Sequence, residues 1–362
     1  MKRDKEIIKF PKVQFAIFTV LLIFLLSDLS ACGGTVPESE PISKTAFLLD
    51  TMCSVTVYTK DDARYAEEAL ALCAEYEQLL SRTVADSDIS RINAANGRAV
   101  AVSQATIELL NKAVYYGELS DGGFDVSIGA VSSLWDFSSA SAERSIPDEG
   151  EIAAKLTSVN FKDIEVTENT IRLTRPGAQL DLGGIAKGYI ADRLAAFLTE
   201  SGVKTALIDL GGNVVTVGEK ADGTPWKVGV RNPFTFGAPV GENSEGRENA
   251  EDPVSTILGT ITVSGTKSIG TSGTYERYFM QNGVRYHHIL DPVTGFPAET
   301  DLAGVTVVTD LSVDGEGFTT TCILLGSVAA QQFLEENHIQ AVLLKEDGTV
   351  ITTGDIDYVT AR

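Results

Sequence analysis

The residues whose types and spacing carry the most chemistry form one run: Asp181-Leu182-Gly183-Gly184-Ile185-Ala186-Lys187-Gly188-Tyr189-Ile190-Ala191-Asp192. Ala178-Gln179-Leu180 ahead of it reads as the end of a strand. Ile185, Tyr189, Ile190, Leu194, Phe197 and Leu198 recur at helical spacing. The run therefore predicts a strand, a glycine turn and a helix start. Such a junction suits an anion. Glycines let the backbone approach closely, the first helical N–H groups lack internal partners, and the helix dipole is positive there. Lys187 adds a full charge in the first turn. The pattern is neither a P-loop nor the six-residue dinucleotide fingerprint. By itself it is also compatible with a turn that only joins strand to helix.

Two further stretches carry polar chemistry. One is Thr271-Ser272-Gly273-Thr274-Tyr275-Glu276-Arg277-Tyr278-Phe279. The other is Tyr286-His287-His288-Ile289-Leu290-Asp291-Pro292-Val293-Thr294-Gly295-Phe296-Pro297, which holds two of the three histidines. Upstream, Phe124-Asp125 and Leu134-Trp135-Asp136-Phe137 set aromatic rings beside glycines. Such rings stack on a planar ligand or fill an ordinary core.

The elements that must position these groups follow from periodicity. Strands are expected over Phe47–Tyr58, Ala206–Asp209, Trp226–Val230, Ile257–Val263, Ser268–Ser272, Val305–Val308, Ala341–Leu344 and Val350–Thr353. Helices are expected over Asp62–Leu80, Gln104–Ser120 and about Val328–Glu336, with Asp and Ser residues of 86–90 capping a short one. Phe234 to Asp252 is polar and aperiodic, a surface insertion. Helices and strands do not alternate regularly, so the fold class is α+β, with mixed or antiparallel sheets and packed helices, rather than a doubly wound sheet.

The 362 residues suffice for a large domain or two lobes, and the net charge of −21 offers no basic face to nucleic acid. Lys2, Arg3, Lys5, Lys9 and Lys12 precede an apolar stretch, Val13 to Leu26, too short for an ordinary spanning helix. It ends in Leu29-Ser30-Ala31-Cys32-Gly33, which resembles a bacterial lipobox. That implies a signal peptide over 1–31, a lipidated Cys32 with a linker over 32–44, and a domain over 45–357. It also implies an extracytoplasmic protein held at the cell membrane by lipid. Losing 1–31 removes five basic and three acidic residues, taking −21 to −23. Cys53, Cys73 and Cys322 form no CxxC pair and read as buried, inert thiols.

Five segments in order are similar to motifs of one family, the FAD:protein FMN transferases (ApbE flavin transferases). They are Gly123-Phe-Asp, the run from Asp181 to Tyr189, Gly211-Gly-Asn, Ser272-Gly-Thr-Tyr-Glu-Arg-Tyr-Phe, and His288-Ile-Leu-Asp-Pro-Val-Thr-Gly-Phe-Pro. The resemblance covers roughly residues 45 to 355. It implies two lobes around a flavin cleft in which FAD binds with its pyrophosphate on a divalent metal, usually Mg²⁺. A threonine hydroxyl of an acceptor flavoprotein would attack the phosphorus on the FMN side, and AMP would leave.

The same resemblance implies site roles. The metal ligands fall on the Ala186 carbonyl, Glu316 and Thr320. Glu316 stands where the family has Asp, with Asp314 as the alternative. His288 is the general-base candidate, or else orients Asp291 or a flavin phosphate. Lys187 is the catalytic cation. Asp181, Gly183, Gly184, Tyr275, Glu276, Arg277 and Asp291 fall to the flavin and phosphate cleft, with Phe124, Asp125 and Trp135 as further members. An FAD pyrophosphatase and a non-enzymatic FAD-binding lipoprotein are the alternative functions.

Overall fold

The first expected strand, Phe47–Tyr58, is a hairpin. β1 (Ile42–Leu48) and β2 (Thr51–Val57) pair antiparallel across a turn at Leu49-Asp50. Both turn residues have left-handed φ, 54° and 59°. Two-residue turns of this kind usually announce themselves with Asn-Gly or Asp-Gly, and Leu-Asp gives no such signal. The computed structural model describes residues 40–135, 137, 144–235 and 256–361. The expected signal peptide, Cys32, Asp136 and residues 236–252 of the expected insertion lie outside the described residues.

α1 (Ala63–Leu80) and α2 (Asp88–Ala94) follow, then β3 (Val100–Ala101), α3 (Gln104–Leu119), α4 (Gly129–Trp135), α5 (Glu149–Leu156), β4 (Ile164–Val166), β5 (Thr170–Leu173) and α6 (Ala186–Glu200). The second half runs β6 (Ala206–Leu210), β7 (Val214–Val217), β8 (Trp226–Arg231), β9 (Ile257–Val263), β10 (Lys267–Gly273), β11 (Tyr278–Gln281), β12 (Val284–His287) and β13 (Leu302–Thr309). It closes with α7 (Ser312–Glu336), β14 (Gln340–Lys345), β15 (Val350–Thr353) and β16 (Tyr358–Thr360). Ser87 and Ser103 cap α2 and α3 by accepting the amides of Ser90 and Thr106.

The main sheet has eight strands in the order β1-β2-β6-β7-β10-β13-β14-β15. Every pairing in it is antiparallel, which bears out the α+β expectation. One face packs on α1, α6 and α7, and apolar residues such as Val55, Ile190, Val305, Val307 and Ile323 meet there. The other face holds Ile269, Val308 and Val342 against Trp226 and Ile261 of the β16-β9-β8 sheet. β13 is therefore buried along its whole length, which explains its nearly continuous apolar run. A third, smaller cluster gathers Val131, Trp135, Ile152, Phe279 and Leu290. From Pro41 onward the chain forms one compact unit, which the contacts do not divide into the two expected lobes.

Two local expectations change. Ala178–Leu180 is no strand, and only Gln179 makes an isolated parallel bridge, to Ile128. The last long helix begins at Ser312, sixteen residues before the expected Val328. Its first half is rich in Gly and Thr, poor helix formers. Tertiary packing holds it there: a Cβ on Gly317 would lie 2.6 Å from the Tyr116 ring, and one on Gly315 would lie 3.2 Å from Thr309 Oγ1. The helix breaks at Gly326 (φ 73°). Asp301 accepts the Ser327 amide (2.8 Å) and hydroxyl (2.6 Å), so the second half starts from its own cap.

Candidate active site

The loop before α6 is tied down by Asp181. Its Oδ1 accepts the Gly183 amide (3.0 Å), and its Oδ2 accepts the Ser132 hydroxyl (2.7 Å) and faces Arg82 Nε at 3.3 Å. Gly183 and Gly184 need no left-handed backbone; their use is access. A Cβ on Gly184 would reach the Phe124 ring at 3.4 Å and Thr320 Oγ1 at 3.7 Å. Gly188 is the demanding position, because a Cβ there would lie 2.4 Å from the Ser312 carbonyl oxygen. α6 and α7 thus cross in backbone contact. One turn on, Asp192 accepts the amides of Ser312 (2.6 Å) and Val313 (2.9 Å) at the start of α7.

That crossing brings four groups together. Lys187, in the first turn of α6, stands with its Nζ 3.5 Å from Glu316 Oε1. Glu316 raises the Lys187 pKa, burial opposes it, and the ammonium stays charged. Glu316 and Thr320 are four apart on α7 and so share a face. The Thr319 and Thr321 hydroxyls turn back to the helix carbonyls of Glu316 and Gly317. The Thr320 hydroxyl has no partner among the described residues, and it lines a cavity of about 690 Å³ with Ala186, Lys187 and Glu316. Carbonyl, carboxylate and hydroxyl oxygens are hard donors, and a single carboxylate leaves room for phosphate and water ligands, which fits Mg²⁺. Among the described residues no group of three His, Cys, Asp or Glu could hold a metal, which disfavours a zinc-type set.

Asp314 does not share this cavity. It accepts from Lys112 Nζ (2.8 Å) and Tyr116 OH (2.9 Å) and lines a separate groove. Of the two candidate ligands, the structure places Glu316 and not Asp314 beside Ala186 and Thr320.

The opposite wall comes from the ends of β10, β11 and β12. The His288 amide donates to the Arg277 carbonyl (3.0 Å), setting both residues on the cavity with Tyr275 and Glu276. The histidine pair divides its labour. His287 is buried, with Nε2 3.1 Å from the Ala298 carbonyl and Nδ1 accepting the Ile289 amide. His288 faces the cavity, and its buried Nδ1 has no partner among the described residues. Burial first, then the charges of Arg277, His287 and Lys187, push its pKa down to about 3, so the ring is neutral. Glu276 is pushed above the usual carboxylate range by desolvation, with Lys187 opposing. Burial, helped by Glu276, raises the Tyr275 phenol to about 12.

Asp181, Gly183, Gly184, Phe124 and Asp125 also line the cavity. The Asp125 carboxylate is already occupied: Ser127 donates amide and hydroxyl to it, and so does the Phe161 amide (2.8 Å). Two expected members are corrected. Trp135 is buried away from the cavity, its Nε1 donating to Gly295 (2.9 Å) and its ring stacked on Phe137. Asp291 accepts the Val293 amide (2.7 Å) and closes the Asp-Pro-Val-Thr-Gly turn, also outside the lining. The sequence reading assigned no role to Arg82, Arg231 or Asp50, which line the cavity as well. Arg82 and Arg231 thus join Lys187 and Arg277 in a lining that also carries the carboxylates of Asp50, Glu77, Asp125, Asp181, Glu276 and Glu316. The basic residues at the ends of Leu80-Ser81-Arg82 and of β8 were the available signals.

The sequence model of the ApbE family matches residues 49–343. An FAD:protein FMN transferase of Treponema pallidum (strain Nichols) is 34% identical over 337 residues, covering 87% of each chain. One from Klebsiella pneumoniae (strain 342) is 37% identical over 292 residues, 80% of this chain and 84% of its own. Among solved structures, the ApbE protein of Thermotoga maritima superposes with a TM-score of 0.76 at 27% identity, covering 87% of this chain and 97% of its own. The apo flavinyl transferase ApbE of Pseudomonas stutzeri gives 0.72 at 25% identity, over 88% and 95%.

Proposed function

The chain belongs to the ApbE family, and from that premise we propose that it transfers FMN from FAD to a threonine hydroxyl of an acceptor flavoprotein, releasing AMP in a Mg²⁺-dependent reaction. One observation carries the reading. A helix start with Lys187, the Glu316–Thr320 pair and His288 with its unpartnered Nδ1 all meet on one cavity. Lys187, Arg277 and the first amides of α6 bind the pyrophosphate and orient it. The Ala186 carbonyl, Glu316 and Thr320 would hold Mg²⁺, which supplies charge stabilisation to the leaving phosphate. His288, neutral at physiological pH, takes the proton of the attacking hydroxyl. The new P–O bond joins threonine to FMN, and the bond to the AMP phosphate breaks. An anionic pyrophosphate against Arg277 and Lys187 offsets two of the charges that depress His288, which strengthens it as a base.

The lipobox-like Leu29-Ser30-Ala31-Cys32 supports an extracytoplasmic enzyme tethered through lipid on Cys32 and acting on a flavoprotein of the same compartment. Membrane fractionation of the full chain and of Cys32→Ala tests this, since the variant should be released.

For the chemistry, the chain from residue 34 onward is incubated with FAD, Mg²⁺ and a bacterial FMN-binding domain carrying an acceptor threonine. Intact mass of the acceptor and AMP are followed together. An Mg²⁺-dependent FMN adduct, lost in Thr320→Ala and His288→Ala, is the expected result. AMP without adduct would indicate an FAD pyrophosphatase. FAD binding with neither product would indicate a binding lipoprotein.

A further inference from the structure

We propose that the outer face of the β1–β2 hairpin, at the end marked by Phe47 and Met52, is the surface on which the acceptor protein docks; this rests on the flavin-transfer reading above. The hairpin's inner face is core: Cys53, Val55 and Val57 are buried under α1. Its outer face is made of cross-strand pairs, and these are not alike. Ser43 faces Thr56 and Thr45 faces Ser54, small polar pairs at home in water. The next pair is Phe47 and Met52, with 68% and 58% of their surfaces exposed. Two large apolar side chains directly opposite each other on a solvent face form a small adhesive patch.

The patch adjoins the site. Leu49, Asp50 and Thr51, which join the two residues along the chain, line the large cavity. The Asp50 carbonyl lies 3.5 Å from Arg277 Nη2. A protein whose hydroxyl must reach the cavity has to rest on its rim, and this apolar pair is continuous with that rim. β1 also has β2 as its one partner strand among the described residues, so its outer edge offers peptide groups to an extended segment. The occupant is thus an extended segment of the acceptor that carries an apolar side chain beside its threonine.

The test uses the active chain, FAD, Mg²⁺ and a folded FMN-binding acceptor domain, with initial rates read by intact mass. Phe47→Ser, Met52→Ser and the double variant are compared with Phe47→Leu and with Thr45→Ala, one pair further along the same face. The double variant should raise KM for the acceptor about tenfold or more, with KM for FAD and the melting temperature unchanged. Phe47→Leu should largely retain the acceptor KM, and Thr45→Ala should not move it. An unchanged acceptor KM in the double variant overturns the proposal. So does a parallel rise in KM for FAD, which would assign the pair to the nucleotide. Loss of co-sedimentation with phosphatidylglycerol vesicles, or of a dimer in sedimentation velocity, at unchanged acceptor KM would give the patch to a membrane or a second copy. If the unaltered chain makes AMP and no adduct, the transfer reading itself fails, a result distinct from any effect of the variants.

Discussion

Two cavities of similar size, about 690 and about 620 Å³, border the crossing of α6 and α7, and they differ in what their polar groups have left to do. In the smaller, the carboxylates are answered, while the buried Nε of Arg193 has no hydrogen-bond partner among the described residues. Glu108 receives the Tyr189 hydroxyl (2.8 Å) and faces Arg193 at 3.7 Å. Asp314 holds Lys112 and Tyr116, and Asp192 holds two helix amides. In the larger, His288 Nδ1 and the Thr320 hydroxyl have no hydrogen-bond partner among the described residues, and Lys187 meets Glu316 only at 3.5 Å. A buried polar atom without a hydrogen bond costs about 1–3 kcal/mol, so one that faces a cavity is a place for a ligand group to satisfy. Volume alone does not separate the two cavities, and each holds one buried unpartnered nitrogen; the larger adds a helix start, Lys187 and the Glu316–Thr320 pair to its own.

The contrast breaks most visibly at His288. His288→Ala should lower the transfer rate about 10²–10⁴-fold while FAD still binds. Rapid-quench measurement of AMP beside equilibrium FAD binding checks this, and an unaltered rate would reduce the unpartnered Nδ1 to a packing accident. Next comes Glu316→Gln. It should weaken Mg²⁺ dependence by at least the roughly 10–100-fold that even indirect metal contacts carry, with partial recovery at high Mg²⁺. A magnesium titration of the rate reads it.

The smaller cavity should respond in stability and not in rate. Asp314→Asn should lower unfolding stability by about 1–3 kcal/mol in denaturant melts. Its magnesium dependence should stay where it was; a shift there would return Asp314 to the list of ligands. The smallest effect is a pH slope. Burial raises Asp192 from an ordinary 3.8 to about 6, so the folded chain keeps a proton that the unfolded chain releases between those values. This group's contribution is full below about pH 4 and is lost as pH rises through 6. Asp192→Asn should remove that part of the pH dependence of the melting temperature.

How much of this was legible in the sequence depended on how local each feature is. The glycine turn and helix start are contiguous from Asp181 to Lys187, and they were readable as such. Glu316 and Thr320 needed family resemblance, because Gly315-Glu316-Gly317 gives no helical signal; the helix there is imposed by Tyr116, Ser268 and Thr309 packed against its glycines. Trp135 was misplaced because an aromatic beside glycines looks alike in a core and in a cleft. Strand alternation separates His287 from His288, but which of them faces the cavity is decided by the His288 amide's bond to Arg277, just ahead of the neighbouring strand. Gly188 passed as one glycine among several, although the helix crossing depends on it.

The break at Gly326 has a mechanical consequence. With the hydrogen-bond ladder interrupted and Asp301 starting the second segment afresh, residues 327–336 are insulated from Glu316 and Thr320. Changes in length, pitch or fraying beyond the break are absorbed at one glycine instead of rotating the ligand face. The distal segment is free to diverge as a packing strut for the sheet while the proximal one keeps its angular setting over the cavity.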